Sequence, residues 1–439
     1  MASLTIMPGG PLKGTVSVPG DKSITHRAIM LSALANGETT ITGYCPGEDC
    51  LNTAQAFRDM GIRIDATATA LHVFGKGQWG LTEPARPIDC GNSGTGIRLL
   101  TGLLAGQDFF TVLTGDDSIR RRPMGRIVKP IRTMGAAIAG RKGGELAPLA
   151  MSGSRLHGIT YASPVASAQI KSALLLAALY AEGLTQLTEP RLSRDHTERM
   201  FRYLGIPFKQ EGTIIEIEGR PSVGWTSQGT LCVPGDLSSA AFFLVGASLL
   251  PGSDVTIPNV GVNPTRTGIL DVLTQMGADI ELMDTREQAG EPVADLRVRA
   301  GKLHGVRVGR EQIPRTIDEF PILCVAAALA DGETVISGAE ELRVKESDRI
   351  ATMAIELKKL GVAIQETPDG LVIQGTAGGA LRGASCTSYG DHRVAMSLAI
   401  AGLVADAPTL IEDTACIETS FPGFDAERLK LLTLSGRSL

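Results

Sequence analysis

A chain that repeats one pattern six times has to bury six copies of one structural unit, and this sequence of 439 residues carries two separate markers of such a repeat. The first is an amphipathic helix that closes in Met-Gly or Leu-Gly before a strand: AFRDMGIRI, PIRTMGAAI, MFRYLGIPF, VLTQMGADI and ELKKLGVAI. Their glycines, Gly61, Gly135, Gly205, Gly277 and Gly361, recur at intervals of 74, 70, 72 and 84 residues. Glycine at that point suits a left-handed helix C-cap. The second marker is an apolar helix, a turn and a short strand: LANGETTITG, LAGQDFFTVLTG, YAEGLTQLTE, LPGSDVTIPN, LADGETVISG and VADAPTLIED. Its turn residues are Gly37, Gly106, Gly183, Gly252, Gly332 and Asp406. Both markers divide the chain into units of about 73 residues.

A coarser repeat lies above these. VPGDKS at Val18–Ser23 returns as VPGDLS at Val233–Ser238, 215 residues later. Two lobes of three βαβαββ-type units follow: 21–235 as the first, 1–20 with 236–439 as the second, with an active site in the cleft between them. On this reading the N-terminal strand, Gly14 to Val18, belongs to the second lobe.

Polarity sets the layering. SAQIKSALLLAALYAEG and SSAAFFLVGASLLPG are apolar nearly all round and read as buried helices. TIIEIEG, DLRVRAG and GVRVGR alternate and read as strands with one wet face. The expected fold is therefore a two-lobed, inside-out α/β barrel whose sheets wrap helices.

Composition narrows the function. Lys and Arg number 42 against 47 Asp and Glu, and aromatics are 4%. There is no basic field or stacking surface for nucleic acid. Seven scattered cysteines without a Cys-x-x-Cys pair fit a reduced, cytoplasmic chain. Six dispersed histidines suggest no structural metal. No apolar run reaches the ~18 residues of a membrane span, and the N-terminus carries no signal-peptide pattern.

Each apolar helix is preceded by a polar segment: GDKSITHR, GNSGTGIR, PVASAQIK, PGDLSS, RTIDEFP and GDHRVAM. Any one of them reads first as a cap. Six in register with the repeat, carrying Lys22, Arg27, Arg98 and Arg393, point to a polyanion site at helix N-termini. GDDSIRRRPMGR adds Arg120, Arg121, Arg122 and Arg126, of which one or two should reach a ligand. LRVKESDR adds Arg343, Lys345, Glu346 and Arg349, with Arg349 in the first turn of a helix begun by Ser347. A salt-bridged surface is the plainer reading of both clusters. GKGQWG mimics a dinucleotide fingerprint but reads as a hairpin turn, because no helix follows; GDKS is not a phosphate-binding P-loop.

GDKSITHR, GNSGTGIR, RRPMGR, ASAQIKSA, RDHTE, NPTRTG, DEFPI, LRVKESDR and GDHRVAMS together resemble the 5-enolpyruvylshikimate-3-phosphate synthase family over essentially the whole chain. RDHTE and LRVKESDR resemble its class II bacterial branch. The resemblance implies transfer of enolpyruvyl from phosphoenolpyruvate to the 5-hydroxyl of shikimate 3-phosphate, by addition and then elimination of phosphate. It implies no cofactor, no metal, inhibition by glyphosate, and a monomer. By resemblance Lys22, Asp318 and Glu346 are catalytic: Asp318 takes the hydroxyl proton and Glu346 handles the proton at C3. Shikimate 3-phosphate falls to Lys22, Ser23, Arg27, Ser167, Ala168, Gln169, Arg194, Asp318 and Lys345. Phosphoenolpyruvate falls to Lys22, Gly94, Arg122, Gln169, Arg349 and Arg393.

Thr419 stands where the other branch has lysine, and Leu99 where it has proline. Gly94 is retained, so glyphosate should inhibit and Gly94→Ala should weaken inhibition. The nearest rival is a UDP-N-acetylglucosamine enolpyruvyl transferase. Its donor loop typically carries a cysteine, in some members an aspartate; Thr114 to Gly125 has no cysteine but holds Asp116 and Asp117, so loop composition alone does not exclude this rival. A rival of another class is a nonenzymatic polyanion-binding repeat protein, which would not need Asp318 or Glu346.

Overall fold

The computed structural model describes residues 2–220 and 224–433. It divides into two compact units. One contains Met1–Pro19, Pro234–Glu287 and Pro292–Leu439; the other contains Gly20–Val233 with Gln288–Glu291.

The second of these holds three four-stranded sheets with one repeated pattern. In the first, Thr230–Cys232 runs parallel to Asn36–Thr42, which pairs antiparallel with Ala70–Lys76, itself antiparallel to Arg63–Ala66. Ile88–Asp89, Thr111–Thr114, Leu146–Ser152 and Ala137–Gly140 repeat that order, as do Thr160–Ala162, Leu184–Thr188, Ile214–Glu218 and Lys209–Glu211. The other unit holds two more four-stranded sheets and one of three strands. In the three-stranded sheet the N-terminal strand Ser3–Ile6 pairs antiparallel with Thr409–Glu412, which runs parallel to Ser385–Thr387.

The helices are inside. Lys22–Ala33, Gly94–Leu104 and Ala168–Ala178 share one core, and Leu237–Leu249, Phe320–Leu329 and His392–Leu403 share the other. Every residue of Phe320–Leu329 and His392–Leu403 is buried. Ile214–Glu218 instead alternates, sending Ile215 and Ile217 into the core and its glutamates outward. At about 1.5–3 kcal/mol per buried large aliphatic side chain, this layering drives the fold. Gly102 permits it locally: a Cβ there would lie 2.1 Å from the Ala173 carbonyl oxygen, so a side chain would push the two central helices apart.

All five Met-Gly and Leu-Gly glycines take the left-handed backbone, with φ between 72° and 102°. Three details depart from expectation. GKGQWG is a turn closed by the Gly80 N–H on the Gly77 carbonyl, but no hairpin: the next strand, Ile88–Asp89, enters a different sheet. GVRVGR shortens to the strand Arg307–Val308. The strand expected at Gly14 to Val18 is Lys13–Thr15, parallel to Asp254–Gly261.

Candidate active-site residues

Four of the six central helices are capped by their own preceding side chain. Asp21 accepts from Ile24 N, Ser93 from Gly96 N, Asp236 from Ser238 N and Asp391 from Arg393 N. Ser167 and Glu319 precede their helices without such a bond. In each unit the starts of the three helices are wired to one another by side chains.

In the unit containing Gly20–Val233, Lys22 opens the first helix and its Nζ lies 2.8 Å from Asp49 Oδ2. His26 Nδ1 lies 2.7 Å from Thr53 Oγ1, and its Nε2 lies 3.2 Å from Ser93 Oγ at the cap of the second helix. Burial first, then the charges of Lys22 and Arg27, lower the His26 pKa to about 3. The second helix reaches the third through Arg98, whose Nη1 donates to Gln169 Oε1 at 2.9 Å, and through Gln169 Nε2, which donates to Thr95 Oγ1 at 3.3 Å. Arg98 Nη2 also donates to the Pro123 carbonyl at 3.2 Å, holding the arginine-rich loop against the helix start.

Within that loop only one of the consecutive arginines is buried. Arg120 pairs with Asp117, and Arg121 is exposed. Arg122 turns inward, donating to Asn92 Oδ1 at 2.7 Å and to Ser118 Oγ at 3.0 Å. A Cβ built on Gly94 would lie 2.9 Å from both Arg122 Nη1 and Arg98 Nη1, so both guanidinium ends approach the bare backbone.

Arg27 is bound on three sides. Its Nε donates to Thr197 Oγ1 at 2.7 Å, its Nη2 to Ser172 Oγ at 2.7 Å, and its Nη1 to the Ser23 carbonyl at 2.8 Å. Burial lowers its pKa to about 10, with Arg194 acting the same way and Glu198 and Asp21 opposing. Ser167, Ala168 and Gln169 form the half-buried first turn of the third helix, and Arg194 lies half-buried just before the helix His196–Leu204.

In the other unit the cluster is tighter. Arg349 Nε donates to Asp391 Oδ2 at 2.8 Å and its Nη2 to Glu346 Oε2 at 2.8 Å, while its Nη1 lies 3.7 Å from Asp318 Oδ1. Burial favours loss of the Arg349 proton, but Asp391, Glu346 and Asp318 outweigh it and hold its pKa above the ordinary arginine value. Arg393 Nη2 lies 3.6 Å from Asp318 Oδ2, and its Nη1 donates to the Asp318 carbonyl at 3.1 Å. Lys345 Nζ lies 3.9 Å from Glu341. The helix bearing Arg349 is capped by Asp348, which accepts from Ala351 N; Ser347, expected as the cap, donates instead to Asp391 Oδ2 at 3.1 Å. Asp391 is thus a hub that sequence reasoning treated as a helix cap alone. Its Asp-His-Arg spacing, with Arg393 two residues on, was the available signal.

Thr419 does not replace a lysine chemically, since its hydroxyl donates to the Cys416 carbonyl at 2.7 Å. Leu99 is core. Among the described residues no helix is long and apolar enough to cross a membrane.

These features define an α/β fold of the enolpyruvyl-transferase type. The enolpyruvyl transferase NikO from Streptomyces tendae shares it at a TM-score of 0.79, 18% identity and 98% and 97% coverage of the two chains, a likeness of fold alone. The family model for EPSP synthase (3-phosphoshikimate 1-carboxyvinyltransferase) matches residues 6–427, and the chain belongs to that family. It is 56% identical to the 3-phosphoshikimate 1-carboxyvinyltransferase of Geobacter sulfurreducens, over 97% of this chain and 98% of that protein. To the enzyme of that name from Pelotomaculum thermopropionicum it is 55% identical, over 94% and 95%. The structure of EPSP synthase from Acinetobacter baumannii superimposes with a TM-score of 0.87 at 46% identity, covering 98% of each chain.

Proposed function

We infer that this chain transfers the enolpyruvyl group of phosphoenolpyruvate to the 5-hydroxyl of shikimate 3-phosphate and releases phosphate. The observation that carries this is the 56% identity, across nearly the full length of both chains, to a 3-phosphoshikimate 1-carboxyvinyltransferase.

Both substrates carry phosphate and carboxylate, which guanidinium forks and helix N-termini bind well. Arg122, the backbone at Gly94, Gln169, Lys22, Arg349 and Arg393 hold phosphoenolpyruvate. Ser23, Arg27, Ser167, Ala168, Gln169 and Arg194 hold shikimate 3-phosphate, with Lys22, Asp318 and Lys345. The 5-hydroxyl oxygen adds to C2 of the donor as Asp318 accepts its proton and Glu346 delivers one to C3. The resulting ketal then breaks its C–O bond to phosphate, the C3 proton returning to Glu346 and the proton on Asp318 leaving with the phosphate. Arg349, paired to Glu346 at 2.8 Å, keeps that carboxyl aimed. Glyphosate, a phosphonate bearing a carboxylate, suits the same cations beside Gly94, and the chain acts as a cytoplasmic monomer.

The test is phosphate release on mixing phosphoenolpyruvate with shikimate 3-phosphate, against the same mixture with UDP-N-acetylglucosamine. Release with the sugar nucleotide and none with shikimate 3-phosphate overturns the reading.

A further inference from the structure

Lys171 is a cation buried in an apolar helix, 1% exposed, and the chemistry above does not use it. Its Nζ lies 2.8 Å from Glu189 Oε2 and 2.8 Å from Glu198 Oε1, both carboxylates being equally buried, and it donates to the Ser193 carbonyl at 3.2 Å. Burial opposes its charge, but the two glutamates outweigh burial and raise its pKa. Taking three charges out of water is costly, and an apolar trio would pack as well or better. The arrangement therefore calls for an explanation in what it fixes.

What it fixes are three chain segments, each next to residues assigned above to shikimate 3-phosphate. Lys171 stands in the helix whose first turn holds Ala168 and Gln169. The Ser193 carbonyl that it grips precedes Arg194, and Ser193 is tied again by its Oγ, which donates to Glu189 Oε1 at 2.5 Å. Glu198 follows Thr197, whose Oγ1 accepts from Arg27 Nε and donates to Ser172 Oγ, each at 2.7 Å. Arg27 in turn reaches the Ser23 carbonyl. One ammonium group thus anchors the surroundings of Gln169, Arg194, Arg27 and Ser23 together.

We propose that Lys171, with Glu189 and Glu198, is a positioning residue for the acceptor: it holds the shikimate 3-phosphate cations in register without touching substrate. This rests on the assignment of Arg194 and Gln169 to that substrate. Phosphoenolpyruvate should be affected less: it shares Gln169, but Arg122 is placed through Asn92 and Ser118, and Arg349 and Arg393 through Asp391 and Asp318.

The test is steady-state kinetics with each substrate varied, on Lys171→Met, on Ser193→Ala and on Arg194→Ala. Ser193→Ala removes one tie while leaving every buried charge paired, and so reads the effect if Lys171→Met does not fold. The expected result is a KM for shikimate 3-phosphate raised about tenfold in Lys171→Met and severalfold in Ser193→Ala, with kcat and the KM for phosphoenolpyruvate within about twofold of wild type. Lys171→Arg, which keeps the charge, should recover part of the loss. If Arg194→Ala raises the acceptor KM and Ser193→Ala and every folded Lys171 variant leave it unchanged, the positioning role is wrong. Equal changes in both KM values, or a fall in kcat alone, mark a merely structural effect and overturn it too. If Arg194→Ala and Gln169→Ala leave the acceptor KM unchanged, the assignment beneath the proposal has failed instead.

Discussion

Arg349 and Asp391, 42 residues apart in sequence, meet at 2.8 Å with the guanidinium 1% exposed and the carboxylate fully buried. The same carboxylate caps the helix that carries Arg393 and accepts from Ser347. One side chain therefore sets the position of Arg349 and Arg393, two of the three arginines assigned to the donor. Removing it leaves Arg349 buried with two more distant or half-exposed partners, Asp318 and Glu346. Asp391→Ala should cost about 3 kcal/mol or more of stability, read as a lowered urea midpoint. Asp391→Asn, which retains a cap acceptor, should recover about 1 kcal/mol of that. A change below ~1 kcal/mol in Asp391→Ala would show that the pair is not what anchors Arg349.

Gly94→Ala should act through arginine as well as through pocket volume. The added methyl lies 2.9 Å from Arg122 Nη1 and Arg98 Nη1, so both side chains must retreat, which long flexible groups can do at modest cost. The protein should fold normally, with a raised KM for phosphoenolpyruvate and a larger rise in the inhibition constant of glyphosate. Arg122→Ala should weaken the donor far more than Arg121→Ala, because only the former side chain is turned inward. Inhibition by glyphosate identical in Gly94→Ala and wild type would dissociate the inhibitor from this corner.

The architecture was readable because it rests on local rules that recur along the chain: left-handed glycines after five amphipathic helices, apolar helices and alternating strands. Candidate cations could be picked out where they sit in the polar run at a helix start, as with Lys22, Arg27 and Arg393, whereas Gly94 came from the family resemblance. What joins them was not. Arg27 meets Ser172 and Thr197 across 145 and 170 residues, pairings that no local pattern encodes. Lys171 was passed over inside a helix read as apolar nearly all round, although a lone cation there has to be neutralised. Ser347 and Asp348 are both residue types that cap well, and only the backbone trace decides between them.

Asp318 and Glu346 separate the enzyme from a passive anion binder. Each lies within ion-pair distance of Arg349, which fixes the place of both carboxyl groups without either being deeply buried. Asp318→Asn and Glu346→Gln should lower kcat by about 10²–10⁴-fold, with both substrates still bound. Quenched-flow detection of the ketal would assign the steps. A kcat within tenfold of wild type in either variant would remove that residue from the proton transfers.

His26 gives the acid limit of the fold a specific source. Its pKa falls from 6.5 to about 3 because it is buried, with Lys22 and Arg27 adding repulsion. Between those values the folded protein keeps the ring neutral while the unfolded chain protonates it, so the unfolded state binds more protons. The stability that the neutral ring contributes is complete above pH 6.5 and is lost on acidification, by up to ~1.4 kcal/mol per pH unit. From pH 7 to pH 5, wild type should lose about 2 kcal/mol more than His26→Gln, whose amide can still reach Thr53 and Ser93 but cannot titrate. Urea unfolding at the two values measures the difference. If both proteins lose the same amount, the ring is protonated in the folded state or its site opens before pH 5, and acid sensitivity lies with the carboxylates.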